Sequence, residues 1–116
     1  MLDLEYGFID MNNRMTDAMN NNTDEYLELC HAYNECKCLA SDIDKYMYDI
    51  KRNLDLYEKS DIVSEDEEMS NRYLREALVG KQMIKYCLKE LANYGFKVKG
   101  EPEYDERLTK YIHKGE

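Results

Sequence analysis

The sequence predicts an all-α fold: a short N-terminal helix, then a long antiparallel helical hairpin, then a tail of short strand or helix. Three observations predict it. Ten apolar residues recur three or four apart, without a break, from Tyr26 to Tyr57. A single Pro and five Gly in 116 residues leave too few chain breakers for a turn-rich β-sandwich. An acidic segment at 60–68 then separates this stripe from a second, narrower one. At this length the chain is one domain, 1–116.

The elements follow in order. Leu4, Phe8, Met11, Met15 and Met19 share one helical face, which predicts a first helix over 3–19. Gly7 weakens its start, and Asn20-Asn21-Asn22 ends it. The long stripe of Tyr26, Cys30, Tyr33, Cys36, Ala40, Ile43, Met47, Ile50, Leu54 and Tyr57 predicts a helix over 23–59. Its apolar face runs about 48 Å at about 1.5 Å per residue. Thr23-Asp24-Glu25 supplies a capping hydroxyl and early acids at the positive end of the helix dipole. Ser60 to Glu68 breaks the stripe and reads as the loop. A second long helix over 67–94 carries Tyr73, Ala77, Gly80, Ile84, Cys87, Leu88 and Leu91 on its face. Gly80 there lets another backbone approach closely, and Gly95 reads as a left-handed helix stop. In the tail, 95–116, Phe96-Lys97-Val98-Lys99 alternates like a short strand. Gly100-Glu101-Pro102 then turns the chain, and Tyr104, Leu108, Tyr111 and Ile112 suit a short terminal helix.

Charge is segregated along the chain. The formal net charge is −9, which repels phosphate at long range and excludes a nucleic-acid coat. Residues 71–100 nevertheless sum to +5, from Arg72, Arg75, Lys81, Lys85, Lys89, Lys97 and Lys99 against Glu76 and Glu90. Lys81, Lys85 and Lys89 repeat every four residues and form a basic row beside the apolar face. Such a row either pairs with acids of the long helix, as at the flanks of a coiled coil, or meets a small anionic ligand between copies. Arg72, Arg75, Lys81 and Lys85 are the candidate phosphate contacts, with Tyr73 or Tyr86 stacking on a base.

Catalytic and metal chemistry is sparse. Neither His31 nor His113 has a nucleophile at a meaningful spacing, and no glycine-rich phosphate loop occurs. Cys30, His31, Cys36 and Cys38 fall within nine residues. On one helix, however, Cys36 and Cys38 point about 200° apart and cannot chelate together. Glu28 and His31 have the Glu-x-x-His spacing of di-iron bundles without a second copy of that motif. Cys30, Cys36, Cys38 and Cys87 read as reduced thiols, since helix pairs six or eight residues apart cannot bridge. The sequence therefore predicts a non-enzyme without cofactor or metal. The acidic N-terminus predicts no secretory leader, and no apolar run reaches membrane-spanning length, so the expected compartment is the cytoplasm. The hairpin's long apolar stripe needs more cover than a short second helix gives, which predicts a homo-oligomer.

The stretch Arg72-Tyr73-Leu74-Arg75-Glu76-Ala77 opens the second long helix after an acidic loop. It resembles the Arg-Trp/Tyr-Leu-x-x-Ala opening of that helix in the phage anti-CBASS and anti-Thoeris sponge family. The order of short helix, long helix, polar loop and second helix is similar too. A Gly-Phe-type step of the family is Ile84-Lys85 here. The resemblance implies a small oligomer that traps cyclic nucleotide immune signals in the host cytoplasm and hydrolyses nothing. A competing reading uses the acids instead. Asp61, Glu65, Asp66, Glu67 and Glu68 would then occupy the basic nucleic-acid site of a host defence protein, in the manner of anti-CRISPR proteins. A third reading is a structural coiled-coil subunit without a ligand.

Overall fold

A computed structural model describes residues 1–21, 23–63 and 67–112, and their side chains except at 60–63, 67–70 and 112. The described residues form four helices: α1 (Glu5–Asn21), α2 (Thr23–Val63), α3 (Glu67–Asn93) and α4 (Glu106–Ile112). The all-α hairpin architecture is as the periodicity dictates. All ten positions of the α2 stripe are buried or half-buried, with Cys36, Ile43, Ile50 and Leu54 at its centre. On α3 the buried positions are Ala77, Gly80, Ile84, Cys87 and Leu91. Tyr26, Cys30, Tyr33, Ala40, Met47 and Tyr57 of the stripe are half-buried within the single chain.

Contacts divide the chain into two units, one of Met1–Asp42 with Tyr86–Glu103 and one of Ile43–Lys85 with Tyr104–Glu116. In the first, Phe8 of α1 meets Tyr33 of α2 edge to face at 5.6 Å and Phe96 at 4.8 Å. Asp3 opens α1 by accepting the Glu5 amide on Oδ1 at 2.9 Å. The end of α3 is a Schellman motif. Gly95 N–H donates to Ala92 O at 2.9 Å and Phe96 N–H to Leu91 O at 3.0 Å, with Gly95 at φ +76°. Leu91 and Phe96, the pair that accompanies this motif, are both buried.

In the second unit the two long helices run antiparallel. Ile50 of α2 lies against Gly80 of α3, while later α2 positions, 52–56, face earlier α3 positions, 72–76. A Cβ on Gly80 would stand 2.8 Å from Ile50 Cγ1 and 3.4 Å from the Tyr46 carbonyl oxygen, so the close approach expected there is real. Helix α4 buries Leu108 and sets Tyr111 against Tyr57 with ring centroids 4.8 Å apart. Arg107 fastens it further: Nε and Nη2 hold Asp105, and Nη1 donates to Asp55 of α2 at 2.6 Å and to Glu58.

Three expectations are corrected. The alternating segment Phe96–Lys99 is not a strand; it makes one antiparallel bridge, Asp3 to Lys99, with N–H to O distances of 2.7 and 3.1 Å. Four residues of alternation do not sustain a ladder once Gly95 and Gly100 bound the segment. The long helix does not stop at Lys59 but continues one turn to Val63. Nothing in Ser60-Asp61-Ile62-Val63 forbids helix; the acids end the apolar stripe without ending the backbone hydrogen bonds. Met19, placed on the apolar face of α1, is 58 % exposed, and Ala18 is buried instead.

Candidate anion-binding cleft

Where α2 and α3 face each other in the second unit they leave a cleft of about 340 Å³. Its lining comes from Asp49, Arg52, Asn53 and Leu56 of α2 and Arg72, Tyr73 and Glu76 of α3. Both sets follow the three-and-four spacing that puts residues on one helix edge. Tyr73 and Leu56 are half-buried and form the apolar floor, while Arg52 and Arg72 stand exposed at the rim. The Asn53 side chain is fixed by donating Nδ2 to the Asp49 carbonyl at 2.8 Å. The cleft thus presents two guanidinium groups, two carboxylates, a carboxamide and a tyrosine. Guanidinium forks grip phosphate bidentately, and carboxylates accept the N–H groups of a base edge.

A second concavity of about 340 Å³ runs along the adjoining face of α2, lined by Tyr48, Lys51, Arg52, Asp55, Leu56 and Lys59. It shares Arg52 and Leu56 with the first, so the two make one trough. Tyr48 is 66 % exposed at its far end. The one acid among the described residues of this groove, Asp55, is held by Arg107. The basic character of the trough was missed in the sequence because residues 23–60 sum to −4. The signal was the helical placement of Lys51, Arg52 and Lys59, which brings three cations to one groove with Asp55 as the acid among its described lining residues.

Of the sequence-predicted ligand residues, Arg72 and Tyr73 line the cleft, and Arg75, Lys81, Lys85 and Tyr86 do not. Lys81 is committed elsewhere: its Nζ lies over the Tyr104 ring, 5.3 Å from the centroid. Arg75, Lys85 and Tyr86 are exposed. The basic row is not spent on the long helix. Among the described residues none of Arg72, Arg75, Lys81, Lys85 and Lys89 forms an ion pair, whereas Arg14, Lys97 and Arg107 do. Of the acids proposed for partner binding, Glu65 and Asp66 lie outside the described residues, as do the side chains of Asp61, Glu67 and Glu68.

The cysteine and histidine cluster does not assemble into a site. No group of three His, Cys, Asp or Glu side chains among the described residues is placed to hold a metal ion. The four cysteines are free, with Cys36 and Cys87 buried, Cys30 half-buried and Cys38 exposed. Burial pushes the Cys36 thiol up to about 11 against the opposing charge of Arg14, and it raises Cys87 as well. A hydrogen bond to Cys30 raises Tyr26. Raised by burial, the Cys36 and Cys87 thiols are protonated at neutral pH, the reverse of what a nucleophile or a metal ligand needs. Among the described residues no helix is long and apolar enough to cross a membrane.

Comparison with protein-family models, with curated proteins and with solved structures finds no match to this chain.

Proposed function

We propose that this chain is a non-enzymatic, all-α binding module that captures a small anionic nucleotide in the α2–α3 trough. One observation carries the reading: Arg52 and Arg72 flank the half-buried Tyr73 in a concavity of about 340 Å³, and neither guanidinium is paired with a described residue. That volume is at the small end of the range of about 300–1,000 Å³ typical of small-ligand sites. Arg52, Arg72, Lys51 and Lys59 supply phosphate contacts, and Tyr73 or the exposed Tyr48 supplies a face for a base. Asp49 and Glu76 favour a ligand with N–H donors as well as phosphate. Cyclic nucleotides have this composition, which agrees with the sponge resemblance of the Arg72–Ala77 stretch. Binding by several copies together, each contributing its trough, belongs to the same proposal.

The test is a thermal-shift and calorimetric panel of cyclic mono- and dinucleotides. A ligand at 100 times its Kd stabilises the folded state by about 2.7 kcal/mol, enough to register clearly in melting. The expected result is a shift with at least one nucleotide, lost in Arg72→Glu and in Arg52→Glu and retained in Lys85→Glu. No shift with any member of the panel at millimolar concentration sinks the reading.

A further inference from the structure

Asp55 is the one acid among the described residues that line the α2 groove, and it sits four residues from both Lys51 and Lys59 on the same helix edge. That spacing is ideal for ion pairs on the helix surface, Lys51 with Asp55 and Asp55 with Lys59. Neither pair forms. The carboxylate turns instead to Arg107 of α4, whose Nη1 donates to Asp55 Oδ1 at 2.6 Å. Arg107 is not among the lining residues of the trough, yet it draws away the carboxylate spaced to pair with the lysines on either side of it. Glu58 shares Nη1 with Asp55, and Asp105 holds Nε and Nη2, so the position of Arg107 is fixed by three acids.

We infer that Arg107 is a positioning residue for anion binding: docking of α4 withdraws Asp55 from the groove and leaves Lys51 and Lys59 open to a phosphate-bearing ligand. The inference rests on the trough's being the anion site, and it adds a regulated element to it. With α4 docked, the groove presents three cations. With Arg107 removed or α4 displaced, Asp55 swings to its helix neighbours and weakens the groove for any anion. Because coupling is reciprocal, an anion that needs the open groove also holds α4 down.

The experiment measures the affinity of inorganic pyrophosphate by calorimetry in a four-member cycle of wild type, R107Q, D55N and D55N/R107Q. R107Q is expected to bind about fivefold more weakly, the factor carried by two surface helix pairs. Adding D55N is expected to raise affinity at least threefold more in the R107Q background than in the wild-type background. Equal gains in both backgrounds overturn the inference, because Arg107 would then act independently of Asp55. A second measurement uses only the wild-type protein: amide exchange of residues 106–111 slows when pyrophosphate saturates the protein. Unchanged exchange at saturation overturns the inference even if R107Q fails to fold. Wild-type binding with no coupling removes this inference alone; no wild-type binding of either pyrophosphate or nucleotides removes the trough reading with it.

Discussion

Arg14 in α1 and Gly95, 81 positions later, meet where α3 ends: Nη2 of the arginine donates to the glycine carbonyl at 3.5 Å. The last turn of α3 has no basic residue of its own, so Arg14 supplies from another helix the cation that a helix C-terminus favours. Its Nε lies 3.2 Å from Asp10 Oδ2, but that nitrogen is off the line of a hydrogen bond, so the contact with Asp10 is Coulombic only. With the side chain 41 % exposed, solvent screens both interactions. Arg14→Ala is expected to cost about 0.5–1 kcal/mol, read as a drop in melting midpoint, and Arg14→Lys to recover part of it. The same substitution removes the charge that opposes the upward shift of Cys36, so that thiol moves further up.

Gly7 occupies a buried position on α1 where a side chain has no room. A Cβ there would collide with the Phe96 ring and stand 2.6 Å from the Lys97 carbonyl oxygen. Gly7→Ala gains about 1 kcal/mol of helix propensity yet forces backbone or ring to move. The expected net effect is a loss of about 1–2 kcal/mol in chemical unfolding, as for other overpacked sites. A stabilised Gly7→Ala protein would show that the Phe8–Phe96 pair repacks without cost.

What was legible in the sequence was set by side-chain period. Ten stripe positions from Tyr26 to Tyr57 fix which face of α2 is buried, because a helix offers no other way to cover them. Gly80 and Gly95 were legible for the same kind of reason: one permits a close approach and the other a positive φ, and few residues do either. The end of α2 was not legible, since Asp61 and Ser60 stop an apolar stripe but not a backbone ladder. The candidate site was half legible. Arg72 and Tyr73 stand out at the start of a basic helix, whereas Lys51, Arg52 and Lys59 are masked by the net negative charge of the segment around them. The Arg107 cluster joins positions 55, 58 and 107, and no local spacing announces a contact made by folding the tail back.

The thiols differ enough in burial to be told apart by alkylation. Cys36 is fully buried with its thiol near 11, Cys87 is buried and raised, and Cys38 is exposed. At pH 8 iodoacetamide is expected to label Cys38 first, with Cys36 and Cys87 modified only at the rate of unfolding. Mass spectrometry of peptides from a time course reads the order directly. Early labelling of Cys36 would place it on a surface rather than in the centre of the α2 stripe.

Docking of α4 carries a pH signature whose sign follows from its acids. Hydrogen bonds from Arg107 hold the Asp105 carboxyl below the ordinary aspartate range, and the same guanidinium lowers Glu58. A carboxylate whose pKa is lowered by folding binds fewer protons in the folded state. Its contribution is therefore complete above the unfolded-state pKa, about 3.9 for Asp and 4.3 for Glu, and fades as pH falls through the lower folded values. The contact of α4 with α2 is expected to hold at neutral pH and to loosen below about pH 4, ahead of any loss that buried Leu and Ile contacts alone would cause. Carboxyl-carbon NMR titration checks it: Asp105 titrates below about 3.9 in the wild-type protein and returns to that value in Arg107→Gln. An Asp105 midpoint that is the same in both proteins would mean the guanidinium does not hold that carboxylate in solution.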